Sequence, residues 1–180
     1  MLAPPTRTTH LTIAHSWDGT PIAKHKQFTL ELNLTQEAME IRFEGPANGD
    51  PPPPGPAAAT MGLWEYEVVE LFVAEAGGDD QSVRYTELEF SPHGHFLALG
   101  LEGVRNIVHE HLPLQYTASV HEGHWRGQAS IALSELPPLP WRINATAIHG
   151  TGAQRTYLSA VRLPGEQPDF HQPGCFVGWS

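Results

Sequence analysis

The chain has 180 residues, enough for one domain with a substantial core. Hydrophobic residues make up 40% and charged residues only 17%, with a formal net charge of -10 when histidine is neutral. The 10 Lys and Arg are scattered among 20 Asp and Glu, which excludes a phosphate-neutralising surface, so neither nucleic acid nor a membrane is an expected partner.

The 17 Gly and 17 Pro favour turns over long helices. Cys175 is the single cysteine, which excludes an intrachain disulfide and a multi-cysteine zinc site and fits a reducing compartment. Met1-Leu2-Ala3-Pro4-Pro5 lacks the basic and apolar regions of a secretory signal. No apolar run is long enough to span a bilayer. A cytoplasmic location is the expectation.

Leu11-Thr12-Ile13-Ala14-His15 alternates as a first strand, and Asp18-Gly19 supplies the turn after it. Trp17 beside that turn reads as a lid over a core edge or as a ligand platform. Phe28-Thr29-Leu30-Glu31-Leu32-Asn33-Leu34 puts Phe28, Leu30, Leu32 and Leu34 on one face, and Met39-Glu40-Ile41-Arg42-Phe43 repeats the pattern. The two predict an antiparallel pair. From Gly45 to Gly62 the chain carries Asp50-Pro51-Pro52-Pro53-Pro54-Gly55-Pro56, which cannot be a central strand because proline donates no ladder hydrogen bond. It reads as a long proline-rich surface loop, either a spacer or a rim to the stretch that follows.

That stretch is Leu63-Trp64-Glu65-Tyr66-Glu67-Val68-Val69-Glu70-Leu71-Phe72-Val73. Val69, Leu71 and Val73 share one strand face; Val68, Glu70 and Phe72 share the other, and Trp64 joins Glu70 there if the strand starts that early. A carboxylate between apolar neighbours is costly unless something needs it. An aromatic plate and a carboxylate on one face suit a sugar ring or a cation. The plain alternative is that Trp64 plugs the sandwich edge and Glu70 meets an arginine.

Arg84-Tyr85-Thr86-Glu87-Leu88-Glu89-Phe90 alternates, sending Tyr85, Glu87 and Glu89 one way, and returns through Phe96-Leu97-Ala98-Leu99. Placed beside Glu70, these carboxylates need cations, a metal or solvent. Arg105 is the candidate to neutralise that face or to bind hydroxyls. Further strands are predicted at Tyr116–His121, Trp125–Leu133, Arg142–His149 and Thr156–Ala160, with one helical turn at most near Ser134. About ten short strands predict an antiparallel β-sandwich, jelly-roll-like, as a single domain over residues 1–180.

Eleven histidines include two His-x-His pairs, His93 with His95 and His109 with His111, whose side chains share a face in extended chain. Gly94 makes the first pair flank a turn. No metal ligand is assigned from them. No Gly-x-Ser-x-Gly elbow and no phosphate-cradling glycine loop occur. Glu70 with Glu87 or Glu89 could form a two-carboxylate glycosidase if the separation suits. No cofactor is predicted; haem through Met61 and a histidine, or a divalent metal, stays open.

The chain resembles the uncharacterised protein family typified by the human chromosome 4 open-reading-frame-thirty-three protein. The pieces that carry this are His15-Ser16-Trp17-Asp18-Gly19, Asp50-Pro51-Pro52, Leu63 to Glu70, Ser91-Pro92-His93-Gly94, Arg105-Asn106, Ala147-Ile148-His149-Gly150 and Pro168-Asp169-Phe170-His171. More distantly it is similar to family-nine carbohydrate-binding modules and DOMON domains, through a Trp before a Val-Glu-x-Phe strand and a late Asp-Phe-His. That resemblance implies a β-sandwich binding sugar or haem, with Trp64 stacking on the sugar and Glu70 bonding its hydroxyls. The second stacking aromatic of those modules has no direct counterpart, which leaves Phe170, Tyr157 or Trp17 for its place.

The leading expectation is therefore a non-catalytic module for a small polar ligand, a saccharide first. Trp64 stacks, Glu70 and Arg105 take hydroxyls, and His93, Asp169, Phe170 and His171 line or brace the rim. The rivals are an enzyme using Glu70 with a second carboxylate or histidine, and an interaction scaffold built on the proline loop.

Overall fold

The computed structural model describes residues 7–179; Met1-Leu2-Ala3-Pro4-Pro5, read above for a leader, lies outside them. In chain order the strands are β1 (Arg7–Ile13), β2 (His15–Ser16), β3 (Phe28–Leu34), β4 (Ala38–Pro46), β5 (Val68–Glu75) and β6 (Arg84–Phe90). They continue as β7 (Phe96–Glu102), β8 (Ile107–His109), β9 (Gln115–His121), β10 (His124–Ala132), β11 (Trp141–His149), β12 (Thr156–Ser159) and β13 (Val177–Gly178). Only short 3-10 turns join them among the described residues, and no helix is long and apolar enough to cross a membrane.

The strands form two antiparallel sheets, and the protein is a β-sandwich. One sheet has the order β1-β3-β4-β10-β9; the other runs β2-β12-β11-β5-β6-β7-β8, with β13 against β11. The predicted first strand starts earlier, at Arg7, and ends at Ile13 because the chain changes sheets at Ala14. There Ala14 leaves the ladder and its carbonyl accepts the Ile22 N–H.

Period-two alternation explains the core between the sheets. Leu30 pairs with Phe43 and Leu32 with Ile41 across β3 and β4, and all four point inward. They meet Val69, Leu71 and Val73 of β5, Leu88 and Phe90 of β6, and Ile143, Ala145 and Ala147 of β11. Trp125 is wholly buried and stands edge-on to Phe28 and Phe43. Two glycines make room for those rings: a Cβ on Gly45 would run into Phe28, and one on Gly127 into Phe43.

The other face of the second sheet is buried too. Val68, Phe72 and Ala74 of β5 join Tyr85, Leu97, Leu99, Leu101 and Ile148 in a second apolar cluster. Leu63, Leu163, Phe170 and Phe176, from turns and the C-terminal segment, close over it. Central β5 is therefore covered on both faces, which explains its nearly continuous apolar run.

The proline loop does not frame this covered face. It is tied down at the sheet edge by Glu67, a buried carboxylate that accepts the Asn48 N–H at 2.6 Å and the Asp50 N–H at 3.2 Å. Asp50 Oδ2 in turn accepts the Gly150 N–H at 2.6 Å, and its carbonyl accepts from His93 Nε2 at 3.0 Å. Each bond removes an orphaned polar group that a proline-rich segment cannot satisfy within a ladder.

Candidate functional site

Glu70 on β5 and Glu89 on β6 are direct cross-strand partners, and Glu87 faces Phe72 one pleat along. The alternation of the two strands thus sends three carboxylates to one face, where Glu70 and Glu87 line a cavity of about 310 Å³ and Glu89 lies buried beside them. One oxygen from each lies within 4.8 Å of the other two. All three are buried. Thr146, opposite Glu70 on β11, donates its hydroxyl to Glu70 Oε2 at 2.5 Å. Neither oxygen of Glu89 has a well-formed hydrogen bond; the Trp64 backbone N–H acts as a weak donor that partly favours its charged form.

Burial pushes the Glu70 carboxyl up to about 7, against the opposing pull of the Thr146 bond and the Arg155 charge. Glu87 is raised well above the usual carboxylate range by burial and then by Glu70, with Arg105 offsetting in part. Glu89 is raised in the same way by burial, Glu70 and Glu87.

The walls are aromatic and aliphatic: Trp64, Phe72, Leu99, Leu101, Ile107, Ile148, Tyr157 and Phe170. Tyr157 and Phe170 meet edge to face with ring centroids 6.1 Å apart. Trp64 is not on the strand. β5 begins at Val68, and Trp64 sits in a 3-10 turn, Leu63–Glu65, entered through Gly62 at φ +79°. Leu63 is buried as the anchor of that turn, while the Trp64 ring is 37% exposed at the cavity edge. Arg155 holds the turn from beneath, donating to the Trp64 carbonyl at 2.6 Å, the Tyr66 carbonyl at 3.3 Å and the Gly150 carbonyl at 2.9 Å.

The rim is a polar network built around Tyr85. Its hydroxyl accepts the Arg105 N–H at 2.8 Å and is hydrogen-bonded to His171 Nδ1 at 2.8 Å. Arg105 has φ +62°, a left-handed conformation that costs a non-glycine residue energy through its Cβ and is held here by that bond. Its guanidinium pairs with Asp169 Oδ1 at 2.7 Å, and the same oxygen accepts the His171 N–H at 3.0 Å. Burial, then the Arg105 charge, hold His171 down to about 4, so its imidazole is neutral near pH 7. Tyr85 is pushed up to about 12, chiefly by burial.

Among the residues expected from sequence, Trp64, Glu70, Arg105, Asp169, Phe170 and His171 all line this cavity. His93 does not; it braces the proline loop through Asp50. Arg105 meets Asp169 rather than the carboxylate floor, and Glu70 meets Thr146 rather than an arginine. Of the three aromatics offered for a second stacking place, Tyr157 and Phe170 are in the cavity and Trp17 packs against the cluster behind it. The histidine pairs do not converge: His93 binds Asp50, His95 Nδ1 binds Thr60 Oγ1, and His109 and His111 are exposed.

Arg155 and Thr146 were not anticipated. Thr146 was legible as a β11 residue, but its partner depended on the register of β11 against β5. Arg155 lies in a turn with no periodicity to mark it.

No known family model matches the sequence. In the solved structures, a Bacteroides uniformis protein described as a candidate carbohydrate-binding protein aligns with a TM-score of 0.68 at 16% identity, covering 96% of this chain and 85% of that one. It shares the fold. A family-nine carbohydrate-binding module from Caldicellulosiruptor kristjanssonii, in complex with cellotriose, aligns with a TM-score of 0.48 at 14% identity over 84% of this chain and 72% of that one, too loose a match to bear on function. A mouse protein named UPF0462 protein C4orf33 homolog is 35% identical over 176 residues, 93% of this chain and 89% of the mouse chain. The human UPF0462 protein C4orf33 is 36% identical over 167 residues, 88% of this chain and 81% of its own. With identity at that level along most of both chains, this protein belongs to the UPF0462 (C4orf33) family.

Proposed function

We propose that this protein is a non-catalytic binding module whose ligand is a saccharide held in the cavity on the outer face of the second sheet. The observation that carries the reading is the pairing within one small cavity of a half-exposed tryptophan with buried and rim hydrogen-bonding groups. A pyranose ring has an apolar face and an equator of hydroxyls. Trp64 offers a plate for the face, with Tyr157 and Phe170 lining the same cavity, while Glu70, Arg105, Asp169 and His171 offer donors and acceptors for the equator. The volume of about 310 Å³ lies at the small end of ligand pockets, about 300–1,000 Å³, and suits one ring better than an extended chain. The carbohydrate-related description of the fold neighbour is in keeping with this assignment.

Stacking contributes about 1 kcal/mol beyond area burial, and hydrogen bonds to charged groups contribute about 1.5–3 kcal/mol each. Trp64→Ala is therefore expected to weaken saccharide binding by about tenfold or more. The folded state should lose little, because the ring is 37% exposed and the anchor of its turn is Leu63. Calorimetric titration with a panel of mono- and disaccharides, beside thermal melts of both proteins, makes the test. Unchanged affinity with a large drop in melting temperature would assign Trp64 to the core and remove this reading.

A further inference from the structure

The cavity floor gathers negative charge without a partner for it. Glu70, Glu87 and Glu89 are each no more than 4% exposed. Glu89, fully buried, has neither oxygen in a well-formed hydrogen bond and places one of them in the cluster. The two guanidinium groups nearby are committed elsewhere, Arg105 to Asp169 and Arg155 to the carbonyls of Trp64, Tyr66 and Gly150. Among the described residues no lysine or arginine forms an ion pair with any of the three. One buried unpaired carboxylate is costly, and three side by side are costlier. Protons held by these raised carboxyls, or a cation from outside the chain, must balance them.

We propose that Glu70, Glu87 and Glu89 bind one hard divalent cation of the calcium, magnesium or manganese class. An all-oxygen carboxylate set, with no imidazole or thiolate donor, suits hard cations. Oxygens sharing one such ion at about 2.0–2.6 Å stand roughly 3–5 Å apart, and the three here lie within 4.8 Å of one another. Glu70 and Glu87 open onto the cavity while Glu89 closes the site from behind, so water or a ligand oxygen can complete the shell from the cavity side. Each Thr146 and Tyr85 bond then acts as an orienting contact: Thr146 fixes Glu70, and Tyr85 fixes His171, whose Nε2 stands 3.9 Å from Glu87 Oε2. Sequence alone assigned no metal here, because the trio exists only through the register of β5 on β6. The inference uses the cavity floor and does not depend on the ligand being a saccharide.

The test uses the full chain, stripped with EDTA and dialysed into metal-free buffer, then titrated with CaCl2, MgCl2 and MnCl2 by calorimetry. Electron paramagnetic resonance of the manganese sample counts bound ions. One ion per chain is expected, with a rise in melting temperature on binding. Glu89→Gln should weaken that binding by about tenfold or more while the metal-free variant stays folded, since the amide keeps the shape of the side chain and loses a buried charge. Glu87→Gln is the second variant, with the same expectation, and Glu122→Gln, on the exposed β9–β10 turn, is the control that should bind as the parent does. Absence of binding with all three ions overturns the proposal, as does binding that neither Glu89→Gln nor Glu87→Gln reduces. A parallel saccharide titration with and without EDTA keeps the two readings apart. Sugar binding without cation binding removes the cation site alone, and cation binding without sugar binding removes the saccharide reading alone.

Discussion

Arg155 grips Trp64 by its backbone and leaves the ring free. Three carbonyl contacts from one guanidinium hold the 3-10 turn against β11, so the ring's position depends on a residue that never enters the cavity. Arg155→Ala leaves those carbonyls without that donor and lets the turn move. The expected outcome is a loss of about 1–3 kcal/mol in stability, together with a fall in ligand affinity resembling that of Trp64→Ala. Urea unfolding and calorimetric titration read the two effects separately. Affinity equal to the parent's would mean that Leu63 alone positions the turn. A second positioning residue, Tyr85, works in the same manner. It holds Arg105 in a left-handed conformation by accepting its N–H, and so directs the guanidinium to Asp169 at the rim.

At the scale of elements, the first sheet shows how a strand makes room for its neighbours' rings. Gly127 on β10 faces Phe43 on β4 across the ladder, and the aromatic ring lies over it. Gly127→Ala forces the ring aside, into a cluster that also holds Phe90, Tyr116 and Trp125. Overpacking of this kind costs about 1–3 kcal/mol. Chemical denaturation should show that loss, while ligand binding on the outer face of the other sheet stays intact; a variant as stable as the parent would mean that Phe43 repacks freely. The hairpin of β5 and β6 bears on the opposite concern. Its register, Glu70 against Glu89 and Phe72 against Glu87, assembles the carboxylate cluster, and a slip of one residue would turn one strand over and part Glu70 from Glu87 and Glu89.

For the whole molecule the buried charges predict how stability depends on pH. A carboxyl whose folded pKa exceeds its unfolded value keeps its proton after the unfolded chain has lost it, so stability falls as pH rises through that window. For Glu70 the window runs from the ordinary 4.5 to about 7, and Glu87 and Glu89 act in the same direction. His171 opposes them: its folded value of about 4 lies below the ordinary 6.5, so its contribution grows with pH across that range and is complete above it. His95 and His149 are lowered too, each chiefly by burial. Above pH 6.5 the carboxyl effect stands alone. The melting temperature of the metal-free protein is expected to fall between pH 6.5 and 8, and Glu89→Gln should flatten that fall. Scanning calorimetry across the range checks both, and a flat profile for the parent would mean that the carboxylates are already compensated.

Alternation along β3, β4 and β10 was plain in the sequence, because a sheet with one face in a core writes its period into neighbouring residues. The same period put Glu70, Glu87 and Glu89 on faces that could coincide. Proline and glycine marked the long loop and the turns by their backbone chemistry. Tertiary structure decided the rest. The C-terminal segment folds Phe170 and Phe176 over the outer face of the second sheet and makes it a second core, which no local pattern announces. Arg105 turned to Asp169, Arg155 to the Trp64 turn, and His93 to the proline loop, since such partners lie 43 to 91 residues away along the chain. Local periodicity records which face of a strand is buried. What a polar side chain meets there is set by strand register and loop packing, and these are properties of the folded whole.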